Sequence, residues 1–196
     1  RSLTLGSMPK LLLRWLPLWL GVFGAAAAVL HTSVHCHVQQ TAFLLGTDYL
    51  WPYLRYPGGP AEYLALPLAL IGSSDWGGAG VLTLLAACFT FVGAALLRPA
   101  DRGRAGALLL LHVPAVLIAG LMLDFLFPLA VLVRLLLAGL ALVLVERLGA
   151  TPWTRPVGAA LVALALYFAA GGAAAWVWAA AVWASQFARR RDTRSW

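Results

Sequence analysis

Charge is the scarcest property of this sequence. Aspartate, glutamate, lysine and arginine make up 11% of its 196 residues, against about 25% in soluble globular domains. A water-soluble chain of this length needs a far larger polar surface, so the composition argues against a soluble fold. Acidic residues number 7 against 14 basic ones, and lysine occurs once, at Lys10. The net charge of +7 does not point to nucleic acid, because a nucleic-acid reader carries its basic residues on a solvated domain. No segment here is long and polar enough to form one. The two cysteines, Cys36 and Cys88, give no disulfide framework. Cys88 falls within an apolar run and Cys36 in a polar connection, at different expected depths.

What the sequence has in excess is hydrocarbon. Hydrophobic residues supply 62% of the chain, against roughly 45–50% in soluble proteins, and they fall in long uncharged runs. A run of about 18 or more such residues reads as a bilayer-spanning helix. The expected fold is an all-α polytopic transmembrane helix bundle, one domain over residues 1–196. Five spans are expected, at about 11–30, 77–97, 105–123, 129–145 and 157–184. Residues 1–7 precede a plausible start at Met8 and read as a tag remnant or upstream extension.

Between the first two spans lies an interfacial region, residues 31–72. It opens with the polar HTSVHCHVQQ and continues through Tyr49, Trp51, Tyr53 and Tyr56, amphipathic rings suited to the headgroup level. Pro57-Gly58-Gly59-Pro60 must turn the chain sharply. Ala61 to Gly72 is apolar but only twelve residues long, reaching about 18 Å of a hydrocarbon core about 30 Å thick. It is expected to be a re-entrant or tilted interfacial helix, or a short true span.

Positive charge stays on the inner side of a membrane. With five spans and a cytoplasmic N-terminus, the inner side holds Arg1, Lys10, Arg14, Arg98, Arg102, Arg104, Arg147 and Arg155. The outer side holds Arg55 and the C-terminal Arg189, Arg190, Arg191 and Arg194. That last group violates the rule locally. The fifth span is rich in small residues from Gly158 to Ala174, which allow close helix approach. Trp176, Trp178 and Trp183 follow as an expected interface anchor.

Four groups of residues could carry chemistry. His31, His35, Cys36 and His37 are candidate metal ligands, since His31 and His35 would share a helix face and imidazole and thiolate suit zinc or copper. Their spacing matches no standard zinc signature. His112 is the one histidine within an apolar span, and an intramembrane ionisable group is a functional hypothesis by default. It could hold a haem or pigment, or simply bond a neighbouring helix. Arg134, early in the fourth span, and Asp124, at the end of the third, could pair, because isolated charges in hydrocarbon are costly. Finally, Asp48 and Glu62 flank the Gly-Gly turn with Arg55 and several tyrosines. A carboxylate pair there could act as general base on a lipid headgroup, or could merely hold a helix at the surface.

The segment TDYLWPYLRYPGGPAEYLALPLA resembles an uncharacterised family of bacterial multi-pass membrane proteins. The residues carrying the likeness are Asp48, Tyr49, Leu50, Pro57, Gly58, Gly59, Glu62 and Tyr63. The resemblance implies placement in a bacterial inner membrane and no particular activity. The alanine, leucine and arginine bias of the composition agrees with a GC-rich bacterial genome. The expected role is a non-catalytic integral membrane subunit or scaffold of a larger complex, with lipids and other membrane proteins as partners and no cofactor. The alternatives are an enzyme acting on a lipid or lipid-linked sugar at the outer surface, and a haem- or pigment-binding subunit using His112.

Overall fold

A computed structural model of the chain describes residues 8–29, 46–96, 112–114, 116–118, 120–121, 128–147 and 154–192. Every regular element among them is a helix: α1 (Met8–Val29), α2 (Thr47–Tyr53), α3 (Gly59–Gly72), α4 (Asp75–Leu96), α5 (Leu129–Arg147), α6 (Thr154–Ala170) and α7 (Gly172–Asp192). The described residues between 112 and 121 are helical as well. The all-α expectation holds.

The helix boundaries follow local chemistry. α3 starts after Gly58, which has φ +91°, and carries Pro60 in its first turn, where a missing N–H leaves nothing unsatisfied. Ser74 caps α4, its hydroxyl accepting the Gly77 N–H at 3.1 Å, as an N-cap serine does. Inside α4, Thr83 and Thr90 donate their hydroxyls back to the carbonyls of Ala79 and Ala86 at 2.7 and 2.9 Å. An apolar helix can therefore bury Thr90 without an orphaned polar group.

Small side chains set how the helices meet. α3 presses Ala61 and Ala65 onto Val133 of α5, with Ala130 and Leu137 beside them. Its opposite face leaves Leu64, Leu70 and Ile71 exposed. The short helix is thus a packed member of the bundle on one face. A second cluster joins Ala26 of α1, Ala79, Leu82 and Leu85 of α4, Ile118 and Leu132. α4 and α5 approach closely enough that a Cβ on Gly139 would fall 2.8 Å from Cγ1 of Val92.

The span count is corrected. Among the described residues two helices, not five, are long and apolar enough to cross a membrane: Trp76–Leu96, 21 residues, and Leu129–Arg147, 19 residues. Within α1 the apolar stretch among the described residues is the shorter Leu18–Ala28. The expected third span, 105–123, is described only in part. The expected fifth span, 157–184, is broken: Gly171 has φ +86° and separates α6 from α7, whose apolar portions, Pro156–Ala170 and Gly172–Trp183, are each too short to qualify. Left-handed backbone is open to glycine at no steric cost, so the small-residue run that suggested one packed helix instead contains a stop. Both halves pack against α5, in a cluster of Ala138, Val145, Leu166, Ala170, Ala174 and Trp178. Trp178 is therefore a core residue, 5% exposed, whereas Trp176 and Trp183 are 78% and 70% exposed.

Candidate functional site

The proline-glycine turn and the Gly171 break form one junction. The N–H of Gly171 donates to the carbonyl of Tyr167 at 3.0 Å, the single bond of a left-handed helix C-cap. The next carbonyl, that of Phe168, accepts the N–H of Gly58 at 2.8 Å. A carbonyl that the helix end would leave unsatisfied is capped by a turn more than a hundred residues away in sequence. On the other side of the break, the Gly171 carbonyl accepts the Ala175 N–H at 3.2 Å, beginning α7. A Cβ on Gly58 would lie 3.4 Å from the Gly171 Cα and 3.3 Å from Nη2 of Arg134. Both glycines have left-handed backbone, and each packs on the other's backbone.

Arg134 reaches this junction from the second turn of α5, and there it meets Glu62. Nη2 of Arg134 donates to Oε1 of Glu62 in an ion pair, while the Tyr56 hydroxyl donates to Oε2 at 2.6 Å. The two charged side chains are 30% and 36% exposed, so water screens the pair in part. Nε of Arg134 is buried with no hydrogen-bond partner among the described residues. A charge in an apolar helix needs a compensating charge, and the first turn of α3 delivers one.

Around this pair four tyrosines gather. The rings of Tyr49 and Tyr53 lie 5.8 Å apart, Tyr53 and Tyr63 5.7 Å, Tyr49 and Tyr63 6.4 Å, and Tyr53 and Tyr56 6.4 Å. All four pairs are tilted, within the range where aromatic rings attract beyond mere burial. Burial pushes the Tyr56 hydroxyl up from 10.0 to about 12, aided by its bond to Glu62 and that carboxylate's charge, with Arg134 opposing. Burial also raises Tyr53, helped by a hydrogen bond with Tyr49. At neutral pH these are protonated phenols able to donate, beside a carboxylate whose two oxygens are both engaged.

The structure brings together only part of what the sequence suggested. Glu62 is at the centre, but neither Asp48 nor Arg55 joins it. Asp48 is exposed in the first turn of α2, where a negative charge stabilises the helix N-terminus. Arg55 places its guanidinium over the Trp51 ring, 5.6 Å from the centroid, a cation–π contact. Arg134 takes Glu62 as a partner; Asp124, the partner expected from sequence, lies outside the described residues, as do His31, His35, Cys36 and His37. Among the described residues no three histidine, cysteine or acidic side chains cluster as metal ligands do. His112 is half-buried on the helical stretch near Ile118. The residues missed from sequence are Arg134 as the partner of Glu62, and Gly171. The signals were present: a lone arginine in an apolar run demands an acid, and a Gly-Gly pair inside a helical pattern marks a break.

A family model described as a family of unknown function, DUF6057, matches residues 8–196. No curated protein and no solved structure matches the chain.

Proposed function

The chain belongs to the DUF6057 family, whose function is unknown, and we propose that it is a multi-pass protein of the bacterial inner membrane acting as a non-catalytic structural subunit of a larger complex. The membrane part of this reading is supported by α4 and α5 and by the apolar side chains the fold leaves outside. Val116, Leu161, Leu164, Trp176 and Trp183 are each at least 60% exposed. So much exposed apolar surface on a soluble monomer would drive association.

One observation carries the structural role. Glu62, the carboxylate best placed to act as a base, has one oxygen on Arg134 and the other on Tyr56. Those bonds tie the first turn of α3 to α5 and to the turn before it, while Gly58 in that turn ties it to the end of α6. The polar groups of the site hold helices in register. Mild-detergent purification of the tagged chain after crosslinking in native membranes tests this: partner proteins in fixed stoichiometry support it, and a lone, monodisperse chain counts against it.

A second reading is favoured by the gathering of Tyr49, Tyr53, Tyr56 and Tyr63 around Glu62. Aromatic faces with hydrogen-bonding hydroxyls suit a sugar ring, and an enzyme acting on a lipid-linked sugar would use them with Glu62. Under that reading Glu62→Gln abolishes a lipid-processing phenotype at unchanged abundance. Under the structural reading, any phenotype follows the amount of folded protein.

A further inference from the structure

The break at Gly171 decides where the chain ends. A continuous helix over residues 157–184 would carry the C-terminal arginines across the bilayer from Arg155. The packing points elsewhere. Gly171 sits against Gly58, where an added Cβ would also meet Arg134 at 3.3 Å, so the break lies near the second turn of α5. If α7 continued in the direction of α6, it would have only Leu129 to Arg134 left to run beside, about 8 Å of helix. Yet Ala174 and Trp178 are buried, with Val182 packed beside them, in the cluster containing Ala138, Ala141 and Val145 of α5. From Ala174 to Val182 the helix advances about 12 Å, and its partners lie toward the C-terminal end of α5.

Resting on the membrane reading above, we propose that α6 and α7 form a helical hairpin that returns the C-terminus to the side of Arg147 and Arg155, where Arg189, Arg190 and Arg191 meet the anionic phosphate headgroups of that leaflet. The apolar part of α7 ends at Trp183, and the three arginines follow within the same helix, at the position where a juxtamembrane basic cluster reads as a contact for anionic lipid. The placement also removes a conflict in the charge distribution. With the other crossings as expected from sequence and the C-terminus returned, Arg55 is the sole loop cation left on the outer side, in keeping with the positive-inside rule.

Topology is tested on the full chain in native membranes. In a Cys36→Ser, Cys88→Ala background, Thr151→Cys reports the α5–α6 link and Ser195→Cys reports the C-terminus. A membrane-impermeant maleimide is applied to intact and to permeabilised cells. Both sites are expected to label only after permeabilisation; labelling of Ser195→Cys alone in intact cells overturns the hairpin. For the lipid contact, the chain purified in mild detergent is titrated with phosphatidylcholine or with phosphatidylglycerol, and the bound lipid is counted by native mass spectrometry. Each juxtamembrane arginine is worth about fivefold in affinity for an anionic surface. Replacing Arg189, Arg190 and Arg191 by Gln is therefore expected to cut the phosphatidylglycerol preference by one to two orders of magnitude. Equal preference in the two proteins overturns the contact. Release of the chain from membranes by alkaline carbonate would instead defeat the membrane reading itself.

Discussion

Replacing Gly171 by Ala attacks the junction at its narrowest point. At φ +86° an L-residue pays about 1–2 kcal/mol for left-handed backbone. The new Cβ would stand 3.5 Å from the Gly58 Cα, ordinary contact, so crowding adds little and backbone strain dominates. If the strained segment shifts, the Gly58 N–H loses the Phe168 carbonyl at 2.8 Å, a further loss of about 1 kcal/mol. Against this, alanine restricts the unfolded chain and returns about 0.4–1 kcal/mol. The net expectation is a destabilisation of about 2 kcal/mol, as the φ and hydrogen-bond losses exceed the entropic return. Gly24→Ala is the control, because a Cβ there meets nothing within 4 Å and a helix interior gains about 0.5–1 kcal/mol from the change. The assay is equilibrium unfolding in mixed micelles followed by tryptophan fluorescence. Gly58→Ala should cost a similar amount, and the double variant less than the sum, since both break one contact. A Gly171→Ala protein as stable as Gly24→Ala would refute the reasoning.

Three further outcomes follow from the same site. Arg134→Ala should destabilise by roughly 1.5–3 kcal/mol in the same assay, the range for a hydrogen bond to a charged group, and Arg134→Lys should recover only part of it because the planar fork is lost; equal stability of Arg134→Ala and the parent protein would dissociate the ion pair from the fold. Tyr56 has a folded-state pKa of about 12 against 10.0 in the unfolded chain, so its protonated phenol favours folding; that contribution is complete below pH 10 and is lost as pH rises through about 12. A tyrosinate absorbance titration of the protein minus that of Tyr56→Phe should show this late step, and a difference curve centred near 10 would contradict it. Gly139→Ala should cost about 1–3 kcal/mol through overpacking against the stiff Val92, and Val92→Ala in the same chain should relieve most of it; no relief would mean the helices do not meet there.

Much of this fold was readable from patterning. The apolar runs gave α4 and α5 within two residues at each end, and the Pro-Gly-Gly-Pro turn and the short helix after it were placed correctly. Periodicity and composition report what one helix is, so they located elements well. They could not report which helix end receives which turn. The Gly58–Phe168 bond and the Glu62–Arg134 pair join residues far apart in sequence, and nothing local distinguishes Glu62 from Asp48 as the partner of Arg134. Gly171 was misread for a related reason. Alanine and glycine in a row look like a close-packing face, and only the left-handed backbone of one glycine separates a face from a break. Trp178 went the same way, since three tryptophans near a helix end look alike until a neighbouring helix buries one.

A structural member of a membrane assembly should not leave its native membrane alone. The most direct measurement is mild-detergent purification of the tagged, crosslinked chain from its native membrane, with the co-purifying proteins quantified against it. One or more membrane proteins are expected at fixed stoichiometry, retained when Glu62→Gln is made at normal abundance. A chain that emerges alone and monodisperse, crosslinked to nothing but lipid, would contradict it.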